Sequence, residues 1–353
     1  MSTPAFLVTG GAGFIGSALV RRLASRGHKR IIVLDKLGYS ASREAIAGPV
    51  QDGVCRLVTG DIGDRKLVAD LLDTHRPEIV FHLAAETHVD RSIGDPRPFL
   101  ESNICGTFEL LEAVRAHLAR PGISRDAFRL VHVSTDEVYG ELGAEEERFD
   151  EGSPYRPRSP YAASKAASDH LSRAWFATYR VPVIVTNCTN NYGPYQFPEK
   201  LIPLMILKAI AGQTLPVYGR GEQVRDWLHV DDHADALIRI GRAGQPGETY
   251  LIGARNERRN IDMVRAICAS LDTLVPDSAP HDRLISFVED RPGHDFRYAI
   301  DPQKTETELG WRARIPLDKG IQETVAWYLS NSEWWQPIAA QRYAGERLGL
   351  VGS

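Results

Sequence analysis

The sequence predicts an α/β protein built on a doubly wound parallel sheet, with a smaller α/β part interleaved toward the C-terminus. Three observations predict this. Short apolar runs alternate with helical periodicity from residue 5 to about residue 190. A glycine-rich turn joins the first apolar run to the first helix. Further along, proline, glycine and aromatic residues become more frequent and the alternation becomes irregular. Repeated strand–helix units of this kind form a Rossmann-type sheet with right-handed crossovers.

The composition narrows the class of protein. The 353 residues are 43% hydrophobic and 25% charged, as in an ordinary globular protein. The 42 basic and 46 acidic residues are interspersed and give a net charge of −4, which argues against a nucleic-acid-binding protein. No apolar run approaches the ~18 residues of a membrane span, and no leader-like segment begins the chain. We therefore expect no membrane association and a cytoplasmic location.

Cysteine and histidine positions predict neither disulfides nor a metal site. Cys55, Cys105, Cys188 and Cys268 lie far apart and form no C-x-x-C pair. We expect buried free thiols in a reducing compartment. His88 has no second ligand at metal spacing, so either a hydrogen-bonding or a merely structural role is expected for it.

The first two strands predict a dinucleotide site. The apolar run Ala5–Thr9 leads into Gly10-Gly-Ala-Gly-Phe-Ile-Gly16 and then into a helical segment. Glycines in this context let the backbone approach a pyrophosphate at the helix N-terminus. The second strand, Arg30–Leu34, is followed by Asp35, whose carboxylate can accept hydrogen bonds from an adenosine ribose and repel a 2′-phosphate. Asp35 therefore favours NAD, whereas the adjacent Lys36 leaves NADP open.

The remaining elements predict two interleaved parts. Further strands are expected at 54–58, 78–82, 128–133 and 181–186, with a long helix from about 96 to 120 and another that begins near residue 160. The segment 223–232 is expected to return the chain to the main sheet, and the segment 248–252 to do so again. This assigns residues 1–190, with returning segments near 226–252, to a cofactor-binding domain. Residues 191–225 and 253–340 form the predicted substrate-binding domain.

The segment after the fifth strand carries acid–base side chains. Asp136 and Glu137 follow that strand, and Tyr161 and Lys165 stand at i and i+4 in the next helix. This spacing puts the phenol and the ammonium on one helix face, where a cation stabilises phenolate. Taken alone, such a Tyr–Lys pair is common on helix surfaces, and an Asp–Glu pair often forms a solvated turn or cap. Their occurrence beside a nucleotide site favours catalysis.

Together these motifs resemble the extended short-chain dehydrogenase/reductase superfamily and, within it, the dTDP-glucose 4,6-dehydratase family. The likeness spans about residues 5–335 and rests on the glycine turn, Asp35 and Tyr161-x-x-x-Lys165. The sequence Thr135-Asp136-Glu137 separates it from relatives that only epimerise, because those lack the acid pair. Thr87 stands where many members of the family have serine. Supporting segments lie at 82–93, 190–203, 225–230 and 290–294.

The resemblance implies a reaction in which the cofactor is recycled. Tyr161, its pKa lowered by Lys165 and by the charge of the nicotinamide, removes the C4 hydroxyl proton while hydride passes from C4 to NAD+; Thr135 holds the C4 oxygen. Glu137 then removes the C5 proton, and protonated Asp136 donates to the departing C6 hydroxyl. Return of the hydride to C6 and of a proton to C5 gives a 4-keto-6-deoxy sugar and regenerates NAD+, which stays tightly bound.

The resemblance also implies the residues that contact cofactor and substrate, a nucleotide-diphosphate sugar. Arg225 and Arg291 would donate to the diphosphate; a local salt bridge is the alternative for Arg225, and a core position the alternative for Tyr218. The cofactor-contacting residues are Gly10, Gly13, Phe14, Ile15, Gly16, Asp35, Lys36, Asp61, Ile62, Leu83, Ala84, Ala85, Ser102, Tyr161 and Lys165. The substrate-contacting residues are Thr87, His88, Asn190, Glu199, Lys200, Leu201, Pro216, Tyr218, Arg225, Asn260, Arg291 and His294.

Other functions stay open on the sequence alone. A related nucleotide-sugar enzyme, such as a 4-epimerase or a decarboxylase, would share the Tyr–Lys pair, and a non-catalytic NAD-binding protein would share the glycine turn. Thymidine as the base follows from the resemblance and from no single residue. So does a homodimer through the helices near 96–120 and 159–180. The tail after Pro337 receives no predicted role.

Overall fold

Seven parallel strands form the central sheet of the protein in the computed structural model, which describes residues 4–290, 293–343 and 345. The strands of the described residues are β1 (Phe6–Thr9), β2 (Ile31–Asp35), β3 (Cys55–Thr59), β4 (Ile79–His82), β5 (Arg129–Thr135), β6 (Val183–Cys188), β7 (Asn190–Tyr192), β8 (Leu215–Tyr218), β9 (Val224–His229), β10 (Thr249–Ile252), β11 (Glu257–Arg259), β12 (Ile285–Val288) and β13 (Arg297–Tyr298). The central order is β10-β6-β5-β4-β1-β2-β3. The order reverses direction between β1 and β4, which confirms the predicted doubly wound topology.

Helices cover both faces of this sheet. They are α1 (Phe14–Ser25), α2 (Ala47–Gln51), α3 (Arg65–His75), α4 (Val89–Gly94), α5 (Arg97–Phe99), α6 (Thr107–Leu118), α7 (Pro160–Tyr179), α8 (Leu201–Ile210), α9 (Val230–Ala243), α10 (Asn260–Leu274), α11 (Gln303–Leu309), α12 (Leu317–Ser330) and α13 (Ser332–Gln341). Short 3-10 segments lie at Glu44–Ile46, Asp136–Tyr139, Pro276–Ser278 and His281–Leu284. None of these described helices is long and apolar enough to cross a membrane.

Burial on both faces explains why the central strands are continuous apolar runs. In β1, Phe6 and Val8 pack with α1 and α9 on one face, whereas Leu7 packs with α3 and α6 on the other. Successive side chains of a strand point to opposite faces, so a strand covered on both sides needs apolar residues at every position. The alternation of such runs with helices therefore made the sheet recognisable in the sequence.

Local capping signals set where α3 and α7 begin. The Asp64 side chain accepts a hydrogen bond from the Leu67 backbone at the start of α3, and the Ser159 side chain accepts one from Ala162 at the start of α7. Pro160 occupies the first turn of α7, where its missing N–H costs nothing. The predicted long helix near 96–120 is present, but it consists of α5, a π-helical segment (Leu100–Gly106) and α6 in succession.

The smaller part contains a second sheet, and one prediction about it is wrong. The segment 223–232 does not return the chain to the central sheet: β9 pairs with β7, β11 and β13 instead. The sequence Val-Arg-Asp-Trp-Leu-His lacks the continuous apolar character that a central parallel strand needs. The return is made by α9, which packs against the central strands, and by β10, which pairs with β6 as predicted. A separate core of α8, α10 and α12 supports the second sheet.

All four cysteines are free thiols, as expected. Cys55, Cys188 and Cys268 are buried, and burial raises the pKa of each thiol. Cys105 is exposed, which corrects the expectation of burial for this residue.

Asp226 in β9 joins the two sheets, and its removal is expected to destabilise the fold. Its carboxylate is 1% exposed and accepts hydrogen bonds from the backbone N–H groups of Ala254 (3.0 Å), Arg255 (3.2 Å) and Asn256 (2.6 Å), which follow β10. Asp226→Ala leaves these donors without an acceptor, at about 1–3 kcal/mol each before relaxation. We expect the free energy of unfolding to fall by about 3 kcal/mol, measured by urea denaturation.

The matched control is Asp318→Ala, which removes an exposed carboxylate paired with Arg258. A surface ion pair contributes about 0–1 kcal/mol, so its denaturation midpoint should barely move. Equal effects of the two substitutions would contradict the proposed role of Asp226.

Candidate active site

A cavity opens at the carboxyl ends of the central strands, where ligands bind in open parallel sheets. Its wall includes Gly10 after β1, Asp35 at the end of β2, Leu83 after β4 and Thr135 at the end of β5. Every residue predicted to contact the cofactor lies in this wall, and so do the predicted catalytic residues Thr135, Asp136, Glu137, Tyr161 and Lys165. Residues far apart in the sequence thus meet because parallel strands end at one edge.

The glycine turn packs so closely that two of its positions exclude any side chain. Gly10 has a φ of +71°, and a Cβ there would lie 2.6 Å from the backbone nitrogen of Ala84. A Cβ on Gly16 would lie 2.1 Å from the carbonyl oxygen of Gly10. The turn therefore lies directly against β4 and leads into the N-terminus of α1, with Gly13 lining the cavity. This arrangement fits a pyrophosphate group.

Asp35 holds the glycine turn to the end of β2. Its Oδ2 accepts a hydrogen bond from the Ala12 backbone at 2.9 Å, and its Oδ1 accepts one from the Leu37 backbone at 2.8 Å. Burial raises the pKa of Asp35, and the two backbone donors oppose that effect. The carboxyl group lies in the cavity wall, at a position suited to a ribose.

The neighbouring Lys36 has an acidic partner. Its Nζ lies 2.9 Å from Oε1 of Glu86 and donates to Oγ of Ser102 at 2.8 Å. A lysine that is already paired with a carboxylate is less able to bind the negatively charged 2′-phosphate of NADP. The observed pairing therefore agrees with NAD rather than NADP, as Asp35 predicts.

The predicted acid pair begins the 3-10 turn after β5. Thr135 Oγ1 accepts a hydrogen bond from the Glu137 backbone at 3.3 Å and donates to Asp136 Oδ1 at 3.4 Å. Asp136 is 2% exposed, and its Oδ2 has no hydrogen-bond partner among the described residues. Burial, reinforced by the charge of Glu137 and opposed by Arg225, raises the pKa of Asp136 well above its ordinary value. Asp136 therefore keeps its proton to much higher pH than an exposed aspartate.

Helix α7 brings Tyr161 and Lys165 to the same cavity. Lys165 is 4% exposed, and its Nζ donates to the Val133 carbonyl at 2.9 Å. Burial raises the pKa of Tyr161 well above its ordinary value; the charge of Glu137 adds to this, and a hydrogen bond with Thr135 opposes it. In the chain alone the tyrosine pKa is therefore raised. Its lowering by Lys165 and the cofactor's charge stays a prediction for the cofactor-bound enzyme.

Four predicted substrate-contacting residues lie in the cavity wall, and seven lie outside it. The wall contains Thr87, Asn190, Glu199 and Lys200. The residues outside it are His88, Leu201, Pro216, Tyr218, Arg225, Asn260 and His294. Arg291, the second predicted diphosphate donor, falls outside the described residues.

Arg225 has a structural role within the second sheet. Its guanidinium donates to the carbonyls of Asp295 at 2.8 Å and Phe296 at 3.3 Å, and its Cζ lies 4.3 Å from the centre of the Tyr298 ring. These contacts hold β9 beside β13; none of them is the local salt bridge given as the alternative, which also stays a prediction. The diphosphate contact stays a prediction.

Three other predicted residues also make local contacts. The His88 ring accepts a hydrogen bond from the Arg91 backbone at 3.3 Å and caps α4, as the hydrogen-bonding interpretation expects. The rings of Tyr218 and His294 meet edge to face with centroids 6.3 Å apart. The structure thus brings Tyr218 and His294 together, away from the wall of the main cavity.

One contact that the sequence did not predict joins the loop after β2 to the loop before α8. Tyr39 and Phe197 line the cavity, and the Tyr39 hydroxyl donates to Oε1 of Glu199 at 2.8 Å. The other oxygen of Glu199 accepts from Nε of Arg91 at 2.8 Å. Tyr39 and Glu199 are 160 positions apart, and no sequence spacing signals that they meet.

The C-terminal segment, for which the sequence predicted no role, packs against the loop after β2. Trp334 in α13 donates through Nε1 to Oγ of Ser42 at 2.9 Å, and Arg342 donates to the Ala41 carbonyl at 3.0 Å. Tyr343 is buried against Phe197. Because Ala41 and Phe197 line the cavity, the end of the chain supports the cavity wall from behind.

No group of three or more His, Cys, Asp or Glu side chains is placed to hold a metal ion in the part of the chain that the structure describes. The polar groups that face the cavity are instead suited to proton transfer and hydrogen bonding.

Gly16→Ala is expected to abolish cofactor retention. The new methyl group would stand 2.1 Å from a backbone oxygen, so the turn must open and its pyrophosphate-binding geometry is lost. We expect NAD content in the purified protein to fall at least about tenfold, measured after acid release. Gly48→Ala in α2 is the matched control, because a Cβ there meets nothing within 4 Å. NAD content that is unchanged by Gly16→Ala would contradict the assignment of the turn.

Comparison with protein families gives one match over most of the chain. The family model described as GDP-mannose 4,6 dehydratase matches residues 7–324. A dTDP-glucose 4,6-dehydratase from Escherichia coli is 52% identical over 358 residues, covering 98% of this chain and 99% of that protein. A probable dTDP-glucose 4,6-dehydratase from Sinorhizobium fredii is 54% identical over 348 residues, covering 98% of both proteins.

Solved structures show the same relationship. A dTDP-glucose 4,6-dehydratase from Streptomyces venezuelae, crystallised with NAD, superposes with a TM-score of 0.87 at 42% identity and covers 94% of this chain and 99% of its own. A UDP-glucose 4-epimerase from Thermus thermophilus, in complex with NAD, superposes with a TM-score of 0.81 at 30% identity. The match covers 93% of this chain and 99% of the epimerase. The fold is thus common to dehydratases and epimerases, and the higher sequence identity is to dehydratases. The chain belongs to the dTDP-glucose 4,6-dehydratase family of the extended short-chain dehydrogenase/reductase superfamily.

Proposed function

We propose that this chain converts dTDP-glucose to dTDP-4-keto-6-deoxyglucose, as an NAD-dependent hydro-lyase. The observation that carries the proposal is the acid pair at the end of β5, in which buried Asp136 with a raised pKa stands next to Glu137 in the cavity that also holds Tyr161 and Lys165. An oxidation at C4 needs only the tyrosine and the lysine. A second acid and base are needed for eliminating water.

The cofactor site is made by the glycine turn, Asp35 and the start of α1. NAD+ bound there supplies a hydride acceptor and a positive charge. Gly10 and Gly16 would let the backbone approach the pyrophosphate, and Asp35 would accept hydrogen bonds from the ribose. The Glu86 partner of Lys36 supports NAD as the form bound.

Tyr161 is proposed to take the proton from the C4 hydroxyl. Burial raises the pKa of this phenol in the chain alone, so cationic charge is needed to stabilise its phenolate. Lys165, on the same face of α7, provides such charge and is oriented by the Val133 carbonyl. Thr135, which hydrogen-bonds to Tyr161, is placed to hold the C4 oxygen.

Asp136 and Glu137 are proposed to divide the elimination between them. Asp136 keeps its proton and has an unpartnered, buried Oδ2, so it can donate to the departing C6 hydroxyl. Glu137 is less buried than Asp136, and its charge contributes to the raised pKa of its neighbour. Glu137 is proposed to remove the C5 proton, because an acid and a base from adjacent carboxyl groups require different environments.

A homodimer and a cytoplasmic location complete the proposal. Leu100, at the start of the π-helical segment, and Tyr179, at the end of α7, are large apolar residues that are 48% and 40% exposed. They lie on the two helices that the family resemblance assigns to a dimer interface. The four free thiols support a reducing compartment. Light scattering at several concentrations measures the oligomeric state directly.

Product analysis tests the reaction. The protein is incubated separately with dTDP-, UDP-, CDP- and GDP-glucose, and products are identified by mass spectrometry and NMR. We expect loss of water from dTDP-glucose, with a ketone at C4 and a methyl group at C6. A galacto-configured product would identify an epimerase instead, and no turnover with any of the four sugars would favour a non-catalytic protein.

Glu137→Gln should separate oxidation from elimination. The amide cannot accept the C5 proton, whereas the groups proposed for C4 oxidation remain. We expect enzyme-bound NADH to accumulate on mixing with dTDP-glucose while overall turnover falls at least about 100-fold. Absorbance and fluorescence of the reduced cofactor report the first step, and product formation reports the second. The control is Glu145→Gln in an exposed loop. Unchanged turnover of Glu137→Gln would remove this residue from the scheme.

The rate of elimination should fall at alkaline pH because Asp136 loses its proton. Its pKa is raised, so the proton needed at C6 is present at neutral pH and is lost as pH rises through that raised value. We expect Asp136→Asn to slow product formation and to remove this alkaline decrease, while NADH formation persists. A decrease of the same shape in the variant would assign the alkaline limb to another group.

A further inference from the structure

A buried carboxylate lies one helical turn beyond Lys165 and belongs to no site described so far. Asp169 in α7 is 0% exposed. Its Oδ1 lies 3.0 Å from Nε2 of His132, and its Oδ2 accepts hydrogen bonds from the Tyr155 hydroxyl at 2.8 Å and from Nδ2 of Asn187 at 3.1 Å. Burying a carboxylate this deeply costs free energy unless it accepts hydrogen bonds and its charge is paired with an opposite charge.

The partners of Asp169 come from elements that carry the reacting groups. His132 belongs to β5, three residues before Thr135, and Asn187 belongs to β6. The side-chain nitrogen of Asn187 that donates to Asp169 also donates to the Thr135 carbonyl at 3.1 Å. On the other side, the Lys165 ammonium reaches the Val133 carbonyl of β5. Asp169 therefore lies at the junction that fixes α7 against the end of β5.

The charge of Asp169 bears on Lys165 directly. Burial lowers the pKa of Lys165, and the negative charge of Asp169 is the largest effect that opposes it. Burial acts to raise the pKa of Asp169, but the hydrogen bond with His132, the charge of Lys165 and the Tyr155 hydroxyl bring it below its ordinary value. Asp169 is therefore ionised at neutral pH.

The other groups around Asp169 do not cancel its charge. Burial lowers the pKa of His132, so this ring is neutral at neutral pH. Burial also keeps the Tyr155 phenol protonated by raising its pKa. Arg173, one turn further along α7, donates to the Tyr155 hydroxyl at 2.8 Å and to the Thr249 hydroxyl at 3.1 Å, so its interaction with Asp169 passes through Tyr155. On β6, the Asn187 amide faces Asp169 and carries no charge.

We infer that Asp169 is a positioning residue for the reaction: it is the buried counter-charge that keeps Lys165 an ammonium, and through Asn187 it holds the Thr135 backbone. This rests on the proposed role of Lys165 in C4 oxidation. Positive charge on the bound oxidised cofactor would disfavour a second cation nearby, so an uncharged residue at position 169 would release the Lys165 proton. Without that cation, Tyr161 in its buried setting has no adequate stabilisation as phenolate.

The test compares two substitutions that differ in charge. Asp169→Asn keeps the size of the side chain and removes the charge, whereas Asp169→Glu keeps the charge. The rate of C4 oxidation is followed by the absorbance of reduced cofactor after rapid mixing with dTDP-glucose, as a function of pH. For Asp169→Asn we expect the ascending limb of the pH–rate profile to move to higher pH by at least about one unit. At any pH below that limb, the rate of C4 oxidation then falls about tenfold. For Asp169→Glu we expect the limb near its wild-type position.

A merely structural role predicts a different result. Loss of packing alone would lower the rate by the same factor at every pH, or lower NAD content and the unfolding midpoint without moving the limb. Either result for Asp169→Asn would overturn the inference, and so would equal shifts in both variants. NAD content and urea midpoints are measured in parallel, so that the rate is expressed per cofactor-loaded site.

A milder variant keeps the inference testable if Asp169→Asn does not fold. Tyr155→Phe removes one hydrogen-bond donor to Asp169 and leaves the carboxylate in place. Because the carboxylate stays ionised, the ascending limb should stay near its wild-type position, and an upward shift of about one pH unit or more would overturn the inference. Failure of the wild-type protein to convert any nucleotide sugar would instead overturn the proposed function, on which this inference depends.

Discussion

Burial of the parallel sheet on both faces is the constraint from which the other features of the structure follow. Because helices cover both sides, the interiors of the strands are mostly apolar, and polar side chains needed for chemistry are concentrated where the strands end. Gly10, Asp35 and Thr135 stand at three such ends. The cofactor-binding turn and the acid pair therefore share one cavity although 125 positions separate Gly10 from Thr135.

Within that cavity, burial also sets protonation. Desolvation and the charge of its neighbour raise the pKa of Asp136, whereas hydrogen bonds and the charge of Lys165 lower the pKa of Asp169. Both aspartates are almost fully buried, so their partners decide the difference between them. The same rule explains why Tyr161 needs a cation and why Lys165 in turn needs a counter-charge.

Some features of this site could be predicted from the sequence because their signals are local. The glycine turn with Asp35 and the i, i+4 pair Tyr161 and Lys165 each lie within a short stretch of chain. The segment 223–232 was misassigned because an apolar–polar mixture fits either sheet edge, and only pairing with β7, β11 and β13 reveals which sheet it joins. The contacts of Arg225 could not be predicted either, because its carbonyl partners Asp295 and Phe296 lie 70 and 71 positions away in the sequence.

Regular periodicity and short spacings encode the doubly wound class, the preference for NAD and the identity of the proposed acid–base residues, so these could be read without coordinates. Which oxygen accepts which hydrogen, and hence which carboxyl group holds a proton, depends on three-dimensional packing. So does the meeting of Tyr39 with Glu199 and of Trp334 with Ser42. These pairs span 160 and 292 positions, and contacts that close such long loops leave no periodic trace in the chain.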